Sequence, residues 1–112
     1  MTITPQYLSG SVSGQAISIA GVTINAATLI HTSTNTALTM DNVHLSISNT
    51  SSSTYACVLE WGSTGAQQIV TVSPSGVVSV PFAFLSGGLS ISAFSGAANV
   101  LFITGRCYRE SP

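Results

Sequence analysis

The chain has 112 residues, a formal net charge of -1 and only five fixed charges: Asp41, Glu60, Arg106, Arg109 and Glu110. Charged residues make up 4% of the sequence, against about 25% in ordinary domains, and 19 Ser and 13 Thr occupy the polar positions instead. With no basic patch to neutralise phosphates, nucleic acid and anionic membranes are excluded as expected partners.

The length suits one domain with a buried core. A neutral, hydroxyl-rich surface gives little repulsion between copies, which favours permanent association. The first residues, MTITPQY, carry no basic group and lead into no apolar run, so synthesis in a cytoplasm is expected. The longest mostly apolar stretch, 77–85, contains Ser79 and Pro81 and is too short to span a bilayer.

In chain order, residues 1–25 are broken by Gly10, Gly14 and Gly21 into short extended pieces. They read as a first strand or as an N-terminal arm reaching onto a neighbour, with the sandwich proper at 26–112. The stretch 26–34 reads as a strand with Leu29 and His31 on one face and Thr28 and Ile30 on the other. Leu38 and Met40, in the connection that follows, are expected to tuck under the domain. From Asp41 to Gly62 the pattern reads as a central hairpin. Val43, Leu45 and Ile47 alternate with polar residues, TSSST reverses the chain, and Cys57, Leu59 and Trp61 share a face of the second strand. A strand with one apolar face must bury it against a second layer.

Beyond a turn at 62–65, a strand is expected from Gln67 to Ser73, and Pro74-Ser75-Gly76 is a turn signal. The strand from Val77 to Leu85 contains Pro81, which directs it to a sheet edge or a bulge. Residues 89–94 alternate again. The run VLFITGRC, 100–107, reads as a strand buried on both faces, with Gly105 marking a bulge, and 108–112 is expected to fray or meet a partner. The sum is an all-β domain, an antiparallel sandwich or jelly-roll-like fold of seven or eight short strands. Its expected core contains Val43, Leu45, Ile47, Leu59, Trp61, Ile91 and Phe102. Candidate contact residues are Tyr7, Phe82, Phe84, Arg106, Tyr108 and Arg109.

No residue pattern indicates a reaction, and no enzyme, cofactor or metal site is expected. His31 and His44 have no third ligand at a regular spacing, so a surface or interface hydrogen bond is their expected use. Asp41 and Glu60 would approach at the open end of a simple hairpin, a weak glycosidase-like pair, and Asp41 equally suits a turn cap. Cys57 and Cys107 could pair only if their strands were neighbours, which the sequence leaves open; buried free thiols are the favoured reading, because disulfides are rare in cytoplasmic products. Asn49-Thr50-Ser51 matches a glycosylation acceptor, a pattern common by chance in so Ser-rich a chain. Trp61 is assigned to the core, with an exposed sugar-stacking platform as the alternative.

Several segments taken together resemble a known family. TLIHT at 28–32, DNVHLSISNTSSS from 41, VLEWG at 58–62, GGLSISAF at 87–94 and ANVLFITGRCYR at 98–109 look like small virion proteins of tailed bacteriophages. The similarity spans about residues 22–109 and is one of strands and turns. It implies a capsid decoration, or cement, protein: a small homotrimeric sandwich on the outer surface of the head, clamping neighbouring major capsid protein subunits. The alternative is a phage tail-fibre or adhesin-type module that recognises carbohydrate.

Overall fold

The structure is a computed structural model that describes every residue except Thr64, and Phe82 by its backbone alone. The chain forms two antiparallel sheets packed as a sandwich, with extents of 45 × 24 × 21 Å. Nine strands are present among the described residues: β1 (Thr2–Gln6), β2 (Ile17–Ser18), β3 (Thr28–Thr32), β4 (Met40–Asn49), β5 (Tyr55–Trp61), β6 (Gln67–Val72), β7 (Val77–Leu85), β8 (Ser90–Ser95) and β9 (Leu101–Ser111). One sheet has the order β1-β9-β4-β7, with β2 also against β9; the other has the order β3-β8-β5-β6. The only helical turn among the described residues is a 3-10 turn at Ile24–Ala26.

The alternating residues of β4 and β5 dictate two buried faces, and the sandwich satisfies both at once. Val43, Leu45 and Ile47 from β4 meet Cys57 and Leu59 from β5 across the interior. These two strands are therefore not a hairpin. β4 pairs with β7 and β9, β5 pairs with β6 and β8, and the TSSST segment arches from one sheet to the other. The arch is fixed by Asn49, whose enclosed Nδ2 donates to the carbonyls of Ser53 (2.8 Å) and Val72 (2.9 Å). Its Oδ1 accepts from the Ser51 N–H and Oγ. An amide engaged in this way is no glycan acceptor; it staples the layers together.

Within the chain, residues 1–25 contribute two strands and part of the core. β1 and β2 both pair with β9, and Leu8, Ile17 and Ile19 enter the core. β3 differs from its expected alternation because its register with β8 shifts between Leu29 and His31. The bulge turns both Ile30 and His31 inward and leaves Leu29 exposed. Leu38 and Met40 do not tuck under the domain, and Leu38 is 86% exposed.

Pro81 sits where the sequence predicts, in an edge strand at a bulge: Val43 pairs with Ala83, but Leu45 pairs with Val80. β9 is not buried on both faces. Leu101, Ile103 and Cys107 point inward, while Thr104 and Arg106 are exposed. Phe102, expected in the core, takes the opposite parity beside Ser48 and Ser18 and is half-buried on the outer face. Trp61 is also only half-buried, packed against the core, with its Nε1 donating to Gln68 Oε1 at 3.0 Å. Residues 108–111 do not fray, because β9 runs between β1 and β4 to Ser111. Gly105 marks close approach, not a bulge, in the β4–β9 register: a Cβ there would lie 2.1 Å from the His44 carbonyl oxygen.

Replacing Asn49 by Ala leaves two carbonyls without their donor, a loss of about 1–3 kcal/mol for a buried group left unsatisfied. Urea denaturation of Asn49→Ala should show a loss in that range. A loss below about 0.5 kcal/mol, typical of a neutral surface change, would mean the arch holds without its staple.

Candidate functional site

Two groups of polar residues stand out, one enclosed and one displayed. The enclosed group is centred on Asp41, at the start of β4. Its side chain is 0% exposed, and that of His31 is 1% exposed. Inward parity on β9 brings Arg109 directly opposite Asp41. Arg109 Nε donates to Oδ1 at 2.8 Å and Nη2 donates to Oδ2 at 3.1 Å. The Thr34 N–H donates to Oδ2 at 3.1 Å, and His31 Nε2 lies 2.8 Å from the same oxygen. The Ser9 N–H donates to His31 Nδ1, 3.0 Å away, so the ring proton resides on Nε2 and points at the carboxylate. One carboxylate thus joins β4 and β9 of one sheet to β3 of the other, and through His31 it holds the chain entering from β1.

Burial on its own would raise the Asp41 carboxyl, but the hydrogen bonds from Arg109 and His31, reinforced by the Arg109 charge, hold it down at about 2. The Cys107 thiol belongs to the same cluster, with the ligand atoms of His31, Asp41 and Cys107 all within 4.8 Å of one another. Burial, and then the neighbouring Asp41 charge, push this thiol up to about 12. Burial alone does the same for Cys57, and both cysteines are free. These three residues are the set whose ligand atoms lie close enough to hold a metal. In the arrangement described, both imidazole nitrogens are engaged and the carboxylate is held by a guanidinium. A thiol so reluctant to ionise is unsuited to nucleophilic attack. The cluster is a rivet between layers.

Sequence spacing gives no sign of this cluster. His31, expected at a surface, is buried by the β3 bulge, and Arg109, expected at a contact, turns inward with its side chain 34% exposed. Arg106 and Arg109 are three residues apart on one strand, so they fall on opposite faces. Asp41 and Glu60 do not converge, because their strands belong to different sheets.

The displayed group is the outer face of the five-stranded sheet. Cross-strand rows place Ile3, Glu110 and Met40 side by side, then Pro5, Tyr108, Asn42 and Phe84, then Arg106 and His44. Tyr7 and Phe84 are exposed, as are Ile3 and Met40. The Arg106 guanidinium lies over the Tyr108 ring, 5.5 Å from its centroid, and His44 meets the same ring edge-on at 5.6 Å. Arg106 stands between two open hollows. One, of about 380 Å³, is lined by His44, Ser46, Ser79 and Pro81; the other, of about 530 Å³, is lined by Pro5, Gln6 and Tyr7. Of the candidate contact residues, Tyr7, Phe84, Arg106 and Tyr108 thus share this face. Arg109 does not, and the Phe82 side chain lies outside the described residues.

Because Asp41 binds its proton more weakly folded than unfolded, the cluster stabilises the fold fully above its ordinary value of 3.8. That contribution, about 2 kcal/mol, is lost as pH falls through about 2. Urea denaturation from pH 6 to pH 2 should show this acid limb in the native chain. In Asp41→Asn it should be reduced by the same amount, with a loss of about 3 kcal/mol at pH 6; an unchanged acid limb would remove Asp41 as its source. Comparison with protein-family models, with curated proteins and with solved structures finds no match for this chain.

Proposed function

We propose that this chain is a structural virion protein that decorates a bacteriophage head, binding copies of itself and the major capsid protein without chemistry of its own. The observation that carries this reading is the distribution of apolar surface. Met1, Ile3, Leu38, Met40 and Phe84 are all exposed on a chain with only five charges. Met1, Leu38 and Met40 surround a hollow of about 250 Å³ with Glu110 and Pro112. Exposed apolar residues gathered in this way mark an interaction site. The resemblance of segments 28–32, 41–53, 58–62, 87–94 and 98–109 to decoration proteins supplies the identity of the partner.

In this reading the Leu38–Met40 end contacts the shell, and the flanks of the sandwich contact neighbouring copies. A trimer presents three such ends, so individually weak contacts sum to firm attachment. The carbohydrate-binding alternative draws less support. Trp61 is half-buried with its N–H bonded to Gln68, and Asp41 is enclosed, so these two form no stacking platform. That reading would have to use exposed Tyr7 and half-buried Tyr108, with Asn42 beside Tyr108, on the outer face.

The test is co-sedimentation of the purified chain with head shells that lack it. Binding should saturate at a ratio set by the symmetry axes of the shell. A double substitution, Leu38→Asp with Met40→Asp, should weaken binding by about 100-fold, equivalent to about 2.7 kcal/mol. Failure to bind such shells, or undiminished binding by the variant, would overturn the reading.

A further inference from the structure

Glu60 is buried and makes no ion pair among the described residues. It lies on the outward parity of β5, between Ser92 of β8 and Gln67 of β6, yet it is only 5% exposed. Its Oε2 atom is enclosed and makes no hydrogen bond among the described residues. Glu60 lines a cavity of about 150 Å³ together with Gly62, Ser63, Ser90 and Ser92. Buried carboxylates are ordinarily paired, because removing the charge from water costs far more than a neutral group would. A carboxylate set among serine hydroxyls in a small hollow is a receptor for a cationic head that donates several hydrogen bonds.

Inventory of charge identifies the donor. The chain has no Lys and two Arg. Arg109 is taken by Asp41. Arg106 is exposed on the outer face of the other sheet, held over Tyr108 and in no ion pair among the described residues. The surroundings also correspond. Exposed Leu29, Ile69 and Leu89 lie on or beside the face that carries Glu60, with half-buried Val58 and Phe94 between them; Pro5 and Tyr7 line the hollow beside Arg106. A charged anchor inside an apolar rim is the composition of an interface hot spot, and Arg and Tyr are enriched there.

We infer that the Glu60 cavity is a guanidinium site and that its occupant is Arg106 of a second copy of this chain. Because donor and acceptor lie on opposite faces of the sandwich, the contact is head-to-tail, and repetition closes a ring or extends a filament. This specifies the self-association within the proposed function, but its test uses no shell, so the two readings can fail separately.

Light scattering should show the native chain above monomer mass at micromolar concentration. Glu60→Gln and Arg106→Gln should each weaken self-association by at least about 30-fold. Neither should lower the thermal midpoint of the monomer by more than a few degrees, since one removes an unpaired buried charge and the other an exposed charge that leaves only its contact with the Tyr108 ring unmade. An equimolar mixture of the two variants should form a species of two copies and nothing larger, because only one Arg106 and one Glu60 can meet. A native chain that is strictly monomeric would overturn the inference. So would either variant associating like the native chain, or a mixture in which no two-copy species forms. Arg106 is exposed, so its variant tests the idea even if Glu60→Gln folds poorly.

Discussion

The sandwich depends on one enclosed carboxylate. Asp41 accepts from Arg109, His31 and the Thr34 backbone, and those donors come from both sheets and from the connection between β3 and β4. Apolar packing between the layers is non-directional and would tolerate small slides of one sheet over the other. Directed hydrogen bonds to a group without access to water do not. His31 carries the constraint further: its second nitrogen accepts from Ser9, the Ser9 hydroxyl accepts from Thr32, and the Gly10 N–H donates to Ile30. The segment between β1 and β2 is thereby fixed to β3, although β1 itself buries almost nothing. At the far end, Asn49 performs the equivalent task for the arch between the layers.

This arrangement has a consequence for the surface. Pairing Asp41 with Arg109 uses two of five charges internally, and Glu60, Arg106 and Glu110 are what remains. Their positions are unequal: Arg106 is presented over an aromatic ring, Glu110 is half-buried beside Ile3 and Met40, and Glu60 is sunk beneath serines. A fold that needed charge only for solubility would place it fully in water.

How far the sequence reveals this structure varies with the kind of interaction. The inward residues of β4 and β5 are legible because period-two alternation is a local property, and Val43, Leu45, Ile47, Cys57 and Leu59 all occupy the core. The edge position of β7 is legible from Pro81 for the same reason. Whether β4 and β5 lie side by side or face each other is not, since both arrangements demand the same alternation. The five polar residues between them serve a hairpin loop or an arch equally well. The β3 bulge leaves no local trace, and it alone decides that His31 is buried. The Asp41 cluster is the least legible feature, because Arg109 lies 68 positions away and its arrival depends on β9 pairing with β4. Cross-strand register also hides the Tyr7, Arg106 and Tyr108 grouping, which unites the two ends of the chain.

A surface clothed in Ser and Thr has a particular energetic character for association. Hydroxyls lose less on leaving water than ions do, and each can both donate and accept, so a neighbouring surface or a bridging water readily satisfies them. Such a coat permits contact almost anywhere and discriminates poorly between one contact and another. Specificity must then come from the few groups for which a wrong neighbour is costly, and buried or aromatic-backed charges are the strongest of these. In the proposed contact between copies that role falls to Glu60 and Arg106. A denser set of surface charges would blur their selectivity by offering competing pairs, so in that proposal the scarcity of charge lets two side chains set how copies would meet.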